Sequence, residues 1–314
     1  MTPTGDVTLV TGASGFVGQA LVQQLARNNI PVRSAFRASD GVSGSTIAVG
    51  DIGPDTHWAP ALEGCDRVVH LAARVHVMND KAIDQLTEFR RINVDGTLNL
   101  ALQAAAAGVR RFVYLSSVKV NGEGTSPGRA FTEADAPNPQ DAYGQSKHEA
   151  EQGLRQLSAD TGMEVVIIRP PLVYGPGVKA NFASLMRAVQ RGWPLPLGAV
   201  HNQRSLVALS NLVDFIITCI TRPQAANQTF LVSDGQDLST TELVRGMAQA
   251  AGVPARLLPM PVWALQAGAS LLGKGDAVQR LCGNLQVDMS KARSLLGWVP
   301  PVSVSEGLRR AMAV

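Results

Sequence analysis

The stretch VTLVTGASGFVGQALVQQLAR, residues 7–27, decides the fold that we predict for this chain. Its first part, Val7–Thr11, is a short β-branched run that predicts a buried strand. Its last part, Phe16–Arg27, has apolar residues at helical spacing and predicts a helix. A glycine-rich turn that joins a strand to the next helix is typical of the units that build a doubly wound parallel sheet.

Three glycines in this turn predict a phosphate site. Gly12 permits a tight turn, Gly15 leaves room for a phosphate beside the backbone, and Gly18 lets the helix pack closely on the strand. The start of the helix adds free N–H donors and the positive end of the helix dipole. The pattern therefore predicts binding of a dinucleotide, and a glycine-rich turn that binds nothing is the alternative.

Working outward, the alternation of short strands and longer helices continues through the first half of the chain. We predict strands at Val32–Phe36, Thr46–Val49, Arg67–Leu71, Phe112–Leu115 and Val165–Ile168, and helices at Ile92–Ala107 and Ala142–Leu157. The predicted fold class is α/β, a doubly wound parallel sheet of the Rossmann type with a smaller C-terminal α/β substrate-binding region.

The predicted domain boundary follows Pro170 and Pro171, where Gly, Pro and Trp become more frequent and the helices shorter. We therefore predict a dinucleotide-binding domain over residues 1–170 and a region over 171–314 that mainly binds substrate. Residues 205–221 have the pattern of a strand followed by a helix, and we expect them to return to the main sheet.

The composition excludes several classes of function. The chain has 314 residues, of which 45% are hydrophobic and 17% charged, and its net charge is +3. These values predict a globular protein with a large core, and the basic residues form no block that would favour nucleic acid or a membrane surface. Cys65, Cys219 and Cys282 have no CxxC spacing or neighbouring histidines, so neither a disulfide framework nor a metal site is predicted.

Two further features bear on location. No basic segment followed by a long apolar one precedes the first strand, so no secretory signal is predicted and a cytoplasmic protein is expected. The apolar stretch Val262–Gly273 is too short for a bilayer, which takes ~20 residues. It predicts a packed helix and no membrane insertion.

The end of the second strand bears on the choice between NAD and NADP. An acidic residue there would bind the ribose 2′-hydroxyl of NAD, but the sequence reads Arg37-Ala38-Ser39. Arg37 with Ser39 suits a 2′-phosphate, because a guanidinium can bind phosphate through two hydrogen bonds. We therefore predict NADP as the cofactor, with NAD as the alternative through the later Asp40. An ordinary solvated arginine is the other interpretation of Arg37.

A tyrosine, a lysine and a serine form the predicted catalytic group. AYGQSKHEA places Tyr143 and Lys147 four residues apart on one face of a helix. An ammonium beside a phenol lowers the phenol's pKa from its usual value of about 10. Ser117, in SSVKVNGEG, follows a predicted strand and suits a hydrogen bond to a substrate oxygen beside Tyr143. A Tyr–Lys pair alone is usually a surface feature, so the hypothesis depends on its combination with the glycine turn.

A set of segments extends these motifs along the chain: TGASGFVG, GDI at Gly50–Ile52, HLAA at His70–Ala73, NVDGTLNL at Asn93–Leu100, FVYLSS, YGQSK and RPPLVYGPG. On these segments the chain resembles, over essentially its whole length, the extended short-chain dehydrogenases/reductases of the nucleotide-sugar epimerase/dehydratase type. Any one segment is a weak signal, but the combination is highly specific.

The resemblance implies further cofactor-binding residues beside the glycines, Arg37, Tyr143 and Lys147. They are Ser14, Phe16, Val17, Asp51, Ile52, Leu71, Ala72, Ala73, Asn93 and Pro170. By resemblance, Asp51 and Ile52 contact adenine, the two alanines line the cofactor cleft, and Asn93 supports the strand and helix beside the active site. Asp51 as a turn residue and Asn93 as a helix cap are the alternatives.

The resemblance also implies a nucleotide-sugar substrate, most often with UDP as the nucleotide. Asn181 in KANFASLMR and Arg204 in NQRSLVALSNLVD match the positions that bind the diphosphate in this family. A helix N-cap and a surface ion pair are the respective alternatives. A homodimer through Ala101–Ala107 and Ala150–Leu157 is a further expectation, although alanine-rich faces suit interior packing equally well.

Three reactions share this fold, and the residues after Ser117 separate them. Dehydratases carry an Asp-Glu pair where this chain has Val118 and Lys119, so dehydration is not expected. The resemblance favours NADP(H)-dependent reduction of a UDP-4-keto-6-deoxy-N-acetylhexosamine in surface-polysaccharide synthesis. A UDP-sugar 4-epimerase that uses NAD is the alternative, and a non-catalytic NADP-binding protein is a third. Lys119 either contacts the sugar or lies in a solvated loop.

Overall fold

The strands form two parallel sheets in the structure, a computed structural model that describes residues 7–38, 45–75, 84–271 and 275–313. Their bounds are β1 Val7–Thr11, β2 Val32–Phe36, β3 Thr46–Ala48, β4 Cys65–His70, β5 Arg111–Leu115, β6 Glu164–Arg169, β7 Leu172–Tyr174, β8 Leu206–Ala208 and β9 Thr229–Leu231. The main sheet has the order β3-β2-β1-β4-β5-β6-β9, and β7 pairs with β8 in the second sheet. The predicted doubly wound parallel sheet is thus confirmed.

Helices lie between the strands and continue through the last third of the chain. They are α1 Phe16–Arg27, α2 Ala59–Leu62, α3 Gln85–Arg90, α4 Gly96–Ala106, α5 Ala142–Thr161, α6 Ala180–Gln190, α7 Leu209–Thr221, α8 Thr240–Ala250, α9 Val262–Leu271, α10 Gly275–Cys282, α11 Ser290–Leu296 and α12 Val304–Met312. A π-helical turn, Arg91–Asp95, joins α3 to α4. Turns of this kind are rare and occur frequently at functional sites.

The central strands are apolar on both faces because helices cover both sides of a parallel sheet. Along β1, Leu9 belongs to the core cluster on one face and Val10 to the cluster on the other. In the register of the sheet, Thr11 pairs with His70 and His70 with Tyr114. The C-terminal ends of β1, β4 and β5 therefore lie side by side, and in sheets of this kind ligands bind at the C-terminal ends of the strands.

The boundaries predicted by local patterns agree well with the structure. The bounds of β1, α1 and β2 are those predicted, whereas α5 extends four residues beyond Leu157, to Thr161. Gly162 ends it with a φ of 76°, a conformation that glycine adopts readily. The predicted helix over Ile92–Ala107 begins in the π-helical turn, and only its remainder is α-helical.

The alanine-rich helices α4 and α5 pack against the main sheet within the chain. Ala101, Ala104 and Ala150 are buried in the same core cluster as Phe112 and Ile167. The small side chains thus serve interior packing, which is the alternative named above for these two segments.

The segment over 205–221 divides between the two sheets. Its strand, β8, pairs with β7 and does not return to the main sheet. Its helix, α7, does pack against the main sheet, where Phe215 lies edge-on to Phe230 with ring centroids 5.5 Å apart. Phe230 belongs to β9, a strand that the sequence did not predict and that completes the edge of the sheet beside β6.

A third core cluster holds the C-terminal region together. It contains Tyr174, Phe182, Met247 and Leu308, which come from β7, α6, α8 and α12. Tyr174 and Phe182 stack with ring centroids 5.6 Å apart. The small sheet is thus covered by α6, which lies between its two strands in the sequence, and by α8 and α12, which follow them.

Helix α9 differs from the packed helix predicted for Val262–Gly273. Trp263 is 72% exposed, and only Ala269 among the side chains described in this helix is fully buried. Its apolar residues surround the helix, so a single face cannot bury them all. Residues 272–274 of the prediction lie outside the described residues. Over the described ranges, no helix combines the length and apolar character needed to cross a bilayer.

Candidate functional site

Two glycines at the turn after β1, Gly12 and Gly18, have no space for a side chain. Gly12 has a φ of 66°, and a Cβ added there would lie 2.8 Å from the backbone nitrogen of Ala72. A Cβ on Gly18 would lie 2.1 Å from the carbonyl oxygen of Gly12. The turn, the first helix and the segment after β4 are therefore packed backbone to backbone, as the predicted roles of these glycines require.

The first turn of α1 is free of side-chain caps. Gly15 is the N-cap residue and makes no side-chain hydrogen bond, and its own N–H donates to the carbonyl of Gly12 at 2.9 Å. Ser14 is exposed beside it, and Phe16 and Val17 are half-buried. Because no side chain caps the helix, the first N–H groups of α1 can donate to a bound ligand. This arrangement fits the pyrophosphate of a dinucleotide, because a helix start favours bound anions.

The end of β4 completes this side of the cleft. The N–H of Leu71 donates to the carbonyl of Thr11 at 3.3 Å, and that of Ala72 donates to the Thr11 hydroxyl at 3.4 Å. Ala73 follows and is half-buried. These hydrogen bonds fix the predicted cofactor-lining segment against β1.

His70 anchors the same strand end and was not singled out by the sequence. Its ring nitrogens lie 2.7 Å from the Thr11 hydroxyl and 2.9 Å from the Thr97 hydroxyl. Burial first, and the charge of Lys147 second, lower the pKa of His70 to about 3. The imidazole is therefore neutral at physiological pH, and its two hydrogen bonds connect β1 to α4. Its place in the HLAA segment was the available signal.

Arg37 and Asp51 meet at the predicted adenine end of the cleft. The Nε of Arg37 lies 2.9 Å from Oδ1 of Asp51, and both side chains are largely exposed. The backbone carbonyl of Asp51 accepts a hydrogen bond from Thr56, and Ile52 beside it is half-buried. Ser39 and Asp40, which bear on the NADP or NAD prediction, lie outside the described residues.

Asn93 links the segment after β4 to α5. Its side chain accepts from the Arg74 N–H at 2.8 Å and donates to the Arg74 carbonyl at 3.0 Å and to the Ser146 hydroxyl at 3.0 Å. The side chain is buried in the π-helical turn. It is therefore not a helix cap but a bridge between three segments.

Lys147 lies beneath Tyr143 on α5. It is 2% exposed, and its Nζ donates to the Leu115 carbonyl at the end of β5 at 2.8 Å. The same nitrogen lies 4.5 Å from the ring centroid of Tyr114 and 5.9 Å from that of Tyr143. Phe89 of α3 packs edge-on to Tyr143, with ring centroids 6.1 Å apart. The structure thus brings the predicted pair to the C-terminal end of β5.

The pKa values of Tyr143 and Lys147 are both shifted, and the direction for Tyr143 is opposite to the one predicted from the sequence. Burial, followed by the charge of Asp141, raises the pKa of Tyr143, whereas proximity to Lys147 was expected to lower it. Burial also lowers the pKa of Lys147 to about 7, against the opposing charge of Glu151. Removal of both groups from water outweighs the attraction between them, since burial disfavours the charged form of each.

Ser117 begins the 3₁₀ turn Val118–Val120, which follows β5. Its hydroxyl accepts from the Lys119 N–H at 3.2 Å, and the Val118 N–H donates to the carbonyl of Pro170 at 3.0 Å. A Cβ added to Gly144 of α5 would lie 2.9 Å from the Lys119 carbonyl oxygen. The turn that carries Ser117 is therefore in close contact with the helix that carries Tyr143.

Beneath this turn lies a buried polar group that the sequence analysis missed. Arg169 donates to Glu151 from Nε at 2.8 Å and from Nη2 at 2.5 Å, and its Nη1 donates to the Asn121 side chain at 3.0 Å. The Ser116 hydroxyl donates to Glu151 at 2.6 Å. The Glu151 side chain is 0% exposed and that of Arg169 2%. This group, which we call the Glu151 cluster, joins α5, β6 and the Ser117 turn.

The two predicted diphosphate residues lie in different settings. Asn181 is exposed in the first turn of α6, whose N-cap residue is Lys179, so Asn181 is not the cap. Arg204 is half-buried, and its Nη1 donates to the Gly283 carbonyl at 3.0 Å. Burial lowers the pKa of the Arg204 guanidinium. The guanidinium donates to a backbone carbonyl, which does not support the surface ion pair given as the alternative.

Metal ligands are not grouped in the described ranges, where no set of at least three His, Cys, Asp or Glu side chains could hold an ion. The residues assembled at the edge of the sheet instead suit a dinucleotide and acid–base chemistry at a hydroxyl group.

Comparisons with known proteins bear on this assembly. The NAD dependent epimerase/dehydratase family matches residues 8–233. UDP-glucose 4-epimerase of Vibrio cholerae is 52% identical over 305 residues, which cover 96% of this chain and 93% of that protein. An N-acetyl-alpha-D-glucosaminyl-diphospho-ditrans,octacis-undecaprenol 4-epimerase of Escherichia coli O157:H7 is 28% identical and covers 98% of this chain and 94% of its own length.

Among solved structures, MoeE5 in complex with UDP-glucuronic acid and NAD has a TM-score of 0.77 and 27% identity, and the match covers 98% of each chain. The family match spans well over half of this chain and includes the glycine turn, Tyr143 and Lys147. The chain therefore belongs to the NAD dependent epimerase/dehydratase family and is an enzyme that binds a nicotinamide dinucleotide.

Proposed function

We propose that the protein is a UDP-sugar 4-epimerase, which inverts the configuration at carbon 4 of the sugar. The observation that carries the reaction is the close contact between the Ser117 turn and the first turn of α5, which places Tyr143 and Lys147 at the end of β5. The 52% identity with the UDP-glucose 4-epimerase of Vibrio cholerae supports the substrate class.

The cofactor would be held by the glycine turn, with the pyrophosphate at the start of α1. Asp51 and Ile52 would contact the adenine, and Leu71, Ala72 and Ala73 would line the cleft. Near the nicotinamide we place Asn93, Tyr143, Lys147 and Pro170. When bound, NAD supplies the oxidation of carbon 4 to a ketone and its reduction back to an alcohol.

Tyr143 moves the proton in this scheme. Its phenolate oxygen takes the proton from the hydroxyl at carbon 4 and returns it when the ketone is reduced on the opposite face. Ser117 holds the same sugar oxygen by a hydrogen bond. Lys147 provides a positive charge beneath Tyr143 that favours the phenolate. Burial and the charge of Asp141 both raise the pKa of Tyr143, and a positive charge on Lys147 would oppose them.

The diphosphate end of the substrate would bind in the C-terminal region. Arg204 offers a guanidinium, which suits two phosphate oxygens at once. Its half-buried position and its hydrogen bond to the Gly283 carbonyl orient the side chain in advance. Asn181, exposed at the start of α6, would add a neutral donor. With the UDP group bound at this end, the sugar would extend toward Tyr143.

A second candidate is NADP(H)-dependent reduction of a UDP-4-keto-6-deoxy-N-acetylhexosamine, as the sequence favours. The observation in its support is Arg37, which stands at the end of β2 where an acid would bind NAD. Arg37 pairs with Asp51, so its guanidinium lies at the predicted adenine end of the cleft. We place this candidate second because the most similar relative named above is an epimerase.

The two candidates differ in net use of the cofactor. The purified protein is incubated with UDP-glucose or UDP-N-acetylglucosamine and NAD, without reductant, and the sugar products are followed by NMR. We expect interconversion of the 4-epimers with no net change in NADH. Consumption of NADPH in proportion to product, seen only with a 4-keto UDP-sugar, would instead establish the reductase.

Two variants complete the design. Tyr143→Phe removes the proton acceptor and keeps the ring, and we expect a loss of about 100-fold or more in kcat. Trp263→Phe replaces an exposed aromatic residue on α9 and serves as the matched control. Equal turnover by Tyr143→Phe and the wild type would show that the chain does not use this tyrosine, and no turnover by either protein would favour a non-catalytic role.

A further inference from the structure

Lys119 forms ion pairs that connect the turn carrying Ser117 to the helix carrying Tyr143 and Lys147. Its Nζ donates to Oδ2 of Asp141, and it donates to Oε1 of Glu123 at 2.9 Å. Asp141 is the N-cap residue of α5, and its other oxygen accepts from the Gly144 N–H at 2.7 Å. The Asp141 carboxylate therefore contacts the Ser117 turn with one oxygen and the Tyr143 helix with the other.

The burial of the pair makes this contact more than a surface ion pair. The side chain of Lys119 is 25% exposed and that of Asp141 19%. The backbones also touch, since only a glycine at position 144 avoids the Lys119 carbonyl. An ion pair that is partly withdrawn from water and held by packed backbone has a fixed geometry, unlike a solvated pair.

We propose that Lys119 is a positioning residue of the reaction: its ammonium fixes the Ser117 turn to the first turn of α5 and neutralises the Asp141 carboxylate beside Tyr143. This inference rests on the proposed function for its catalytic consequence. It also gives Lys119 a specific role where the sequence left two alternatives, a sugar contact and a solvated loop residue. The sugar contact stays a prediction, separate from this one.

The surroundings of Tyr143 show why one carboxylate matters. Asp141, Lys147 and Tyr114 act on Tyr143 or lie against its ring. One contact further away are Lys119, which pairs with Asp141, Glu123, which pairs with Lys119 at 2.9 Å, and Arg74, which lies over the Phe89 ring. Of the two carboxylates, Asp141 is the one whose charge raises the pKa of Tyr143 and so disfavours the phenolate. Lys119 opposes that charge.

The test is a double-variant cycle on the NAD-loaded enzyme. Lys119→Met removes the charge and keeps the chain length, while Asp141→Asn removes the carboxylate and keeps a good N-cap acceptor for Gly144. The acidic limb of the pH profile of kcat with UDP-glucose is measured for both variants and for the double variant.

We expect Lys119→Met to shift this limb upward by about half to one pH unit. At pH values below the limb, that shift is about a threefold to tenfold loss of rate. Asp141→Asn moves the limb in the other direction, and the double variant falls near the wild type. Lys119→Arg, which keeps the charge, should keep the wild-type limb. Lys291→Met, a lysine that donates to the Thr229 carbonyl, is the matched control.

A purely structural role gives a different result. In that case Lys119→Met lowers kcat equally at every pH, and the second substitution restores nothing. Coincident limbs for Lys119→Met and the wild type, or a shift that persists in the double variant, would overturn the proposal.

A second readout does not depend on turnover. The absorbance of the phenolate is titrated in each NAD-loaded variant, and the matching Tyr143→Phe titration is subtracted, because the chain has only 3 tyrosines. The Tyr143 transition should move with Lys119 and Asp141 as the kinetic limb does. If the wild type turns over no UDP-sugar, the proposed function fails, and this titration still decides the role of Lys119.

Discussion

Two buried carboxylates in the molecule are held in different ways. Glu151, beneath the Ser117 turn, pairs with the Arg169 guanidinium through two hydrogen bonds. Asp234, beside the small sheet, is held by neutral donors: the Ala208 N–H at 2.8 Å, the Asn211 amide at 2.7 Å and the Tyr174 hydroxyl at 2.7 Å. Burial raises the pKa of Asp234 in spite of these three hydrogen bonds.

The difference separates two ways of joining segments. A carboxylate and a guanidinium buried together depend on each other, because either one alone is an uncompensated charge. A carboxylate held by neutral donors can be replaced by an amide that keeps most of the hydrogen bonds. The first arrangement lies directly beneath Ser117, and the second joins the small sheet to α7. We therefore expect both stability and activity to depend on the first, and mainly stability on the second.

The largest effect should come from Arg169→Met, which removes the buried guanidinium that makes two hydrogen bonds to Glu151 and leaves only the more exposed Arg155, at 3.0 Å, as its charged partner. We expect a loss of about 3–5 kcal/mol in the free energy of unfolding, measured in urea. Activity per folded molecule should also fall, because Asn121 loses its Arg169 donor and Glu151, which accepts from Ser116 next to Ser117, is no longer held by the guanidinium.

The control for this prediction is the double variant Glu151→Leu/Arg169→Met, which removes both charges. Replacing a buried ion pair by apolar residues is often neutral or stabilising, so the double variant should recover most of the lost stability. An Arg169→Met variant as stable as the wild type would show that Glu151 does not depend on the Arg169 guanidinium.

A smaller effect is expected for Tyr174→Phe. The substitution removes one donor to a buried carboxylate, and we expect a loss of about 2 kcal/mol. The ring still fills its place beside Phe182. Because Tyr174 lies in the C-terminal core, kcat per folded molecule should not change. A fall in kcat without a fall in stability would show that the two regions are not separable in this way.

The substitution Asp234→Asn should cost about 1 kcal/mol or less. The amide oxygen can accept from Ala208 and Asn211 as before. The amide nitrogen can donate to the Tyr174 oxygen, whose own proton can turn to the Val304 carbonyl at 3.4 Å. A urea midpoint as low as that of Arg169→Met would remove the distinction between the two carboxylates.

The smallest effect is a pH dependence of stability. Burial raises the folded-state pKa of Asp234 above its ordinary value of 3.8. Between the two pKa values the folded protein holds a proton that the unfolded chain has released, so this group's contribution to stability falls as pH rises. The stability of the wild type relative to Asp234→Asn should therefore decrease with pH just above pH 4. A relative stability that rises over the same interval would contradict the assigned direction.

Local patterns predicted much of the fold, including the glycine turn between β1 and α1. The bounds of α1 and the glycine turn follow from spacings within a few residues, which a sequence displays directly. Strand β9 was not predicted, because a strand of three residues, Thr229–Leu231, is too short to show a periodic pattern. The same limit applies to β8, whose partner is decided by packing with β7 and not by its own residues.

The Glu151 cluster shows what a sequence leaves out. Its two charges lie 18 positions apart on different elements, so no short motif contains both. A weaker signal was present, since Glu151 continues the spacing of Tyr143 and Lys147 on the same helix face. Arg169 is likewise a charge at the end of the apolar run VVII. The direction of the Tyr143 pKa also needed the structure, because burial cannot be read from spacing.

Strand β9 has a consequence for how the protein can be made or divided. A fragment that stopped at Pro170 would leave β6 as a bare edge, with the backbone groups of Ile167 to Arg169 open to pairing with another molecule. During synthesis the same edge stays open until the ribosome has delivered Thr229–Leu231. Expression of the nucleotide-binding half alone should therefore yield aggregates, and any split-protein design should keep β9 with the first half.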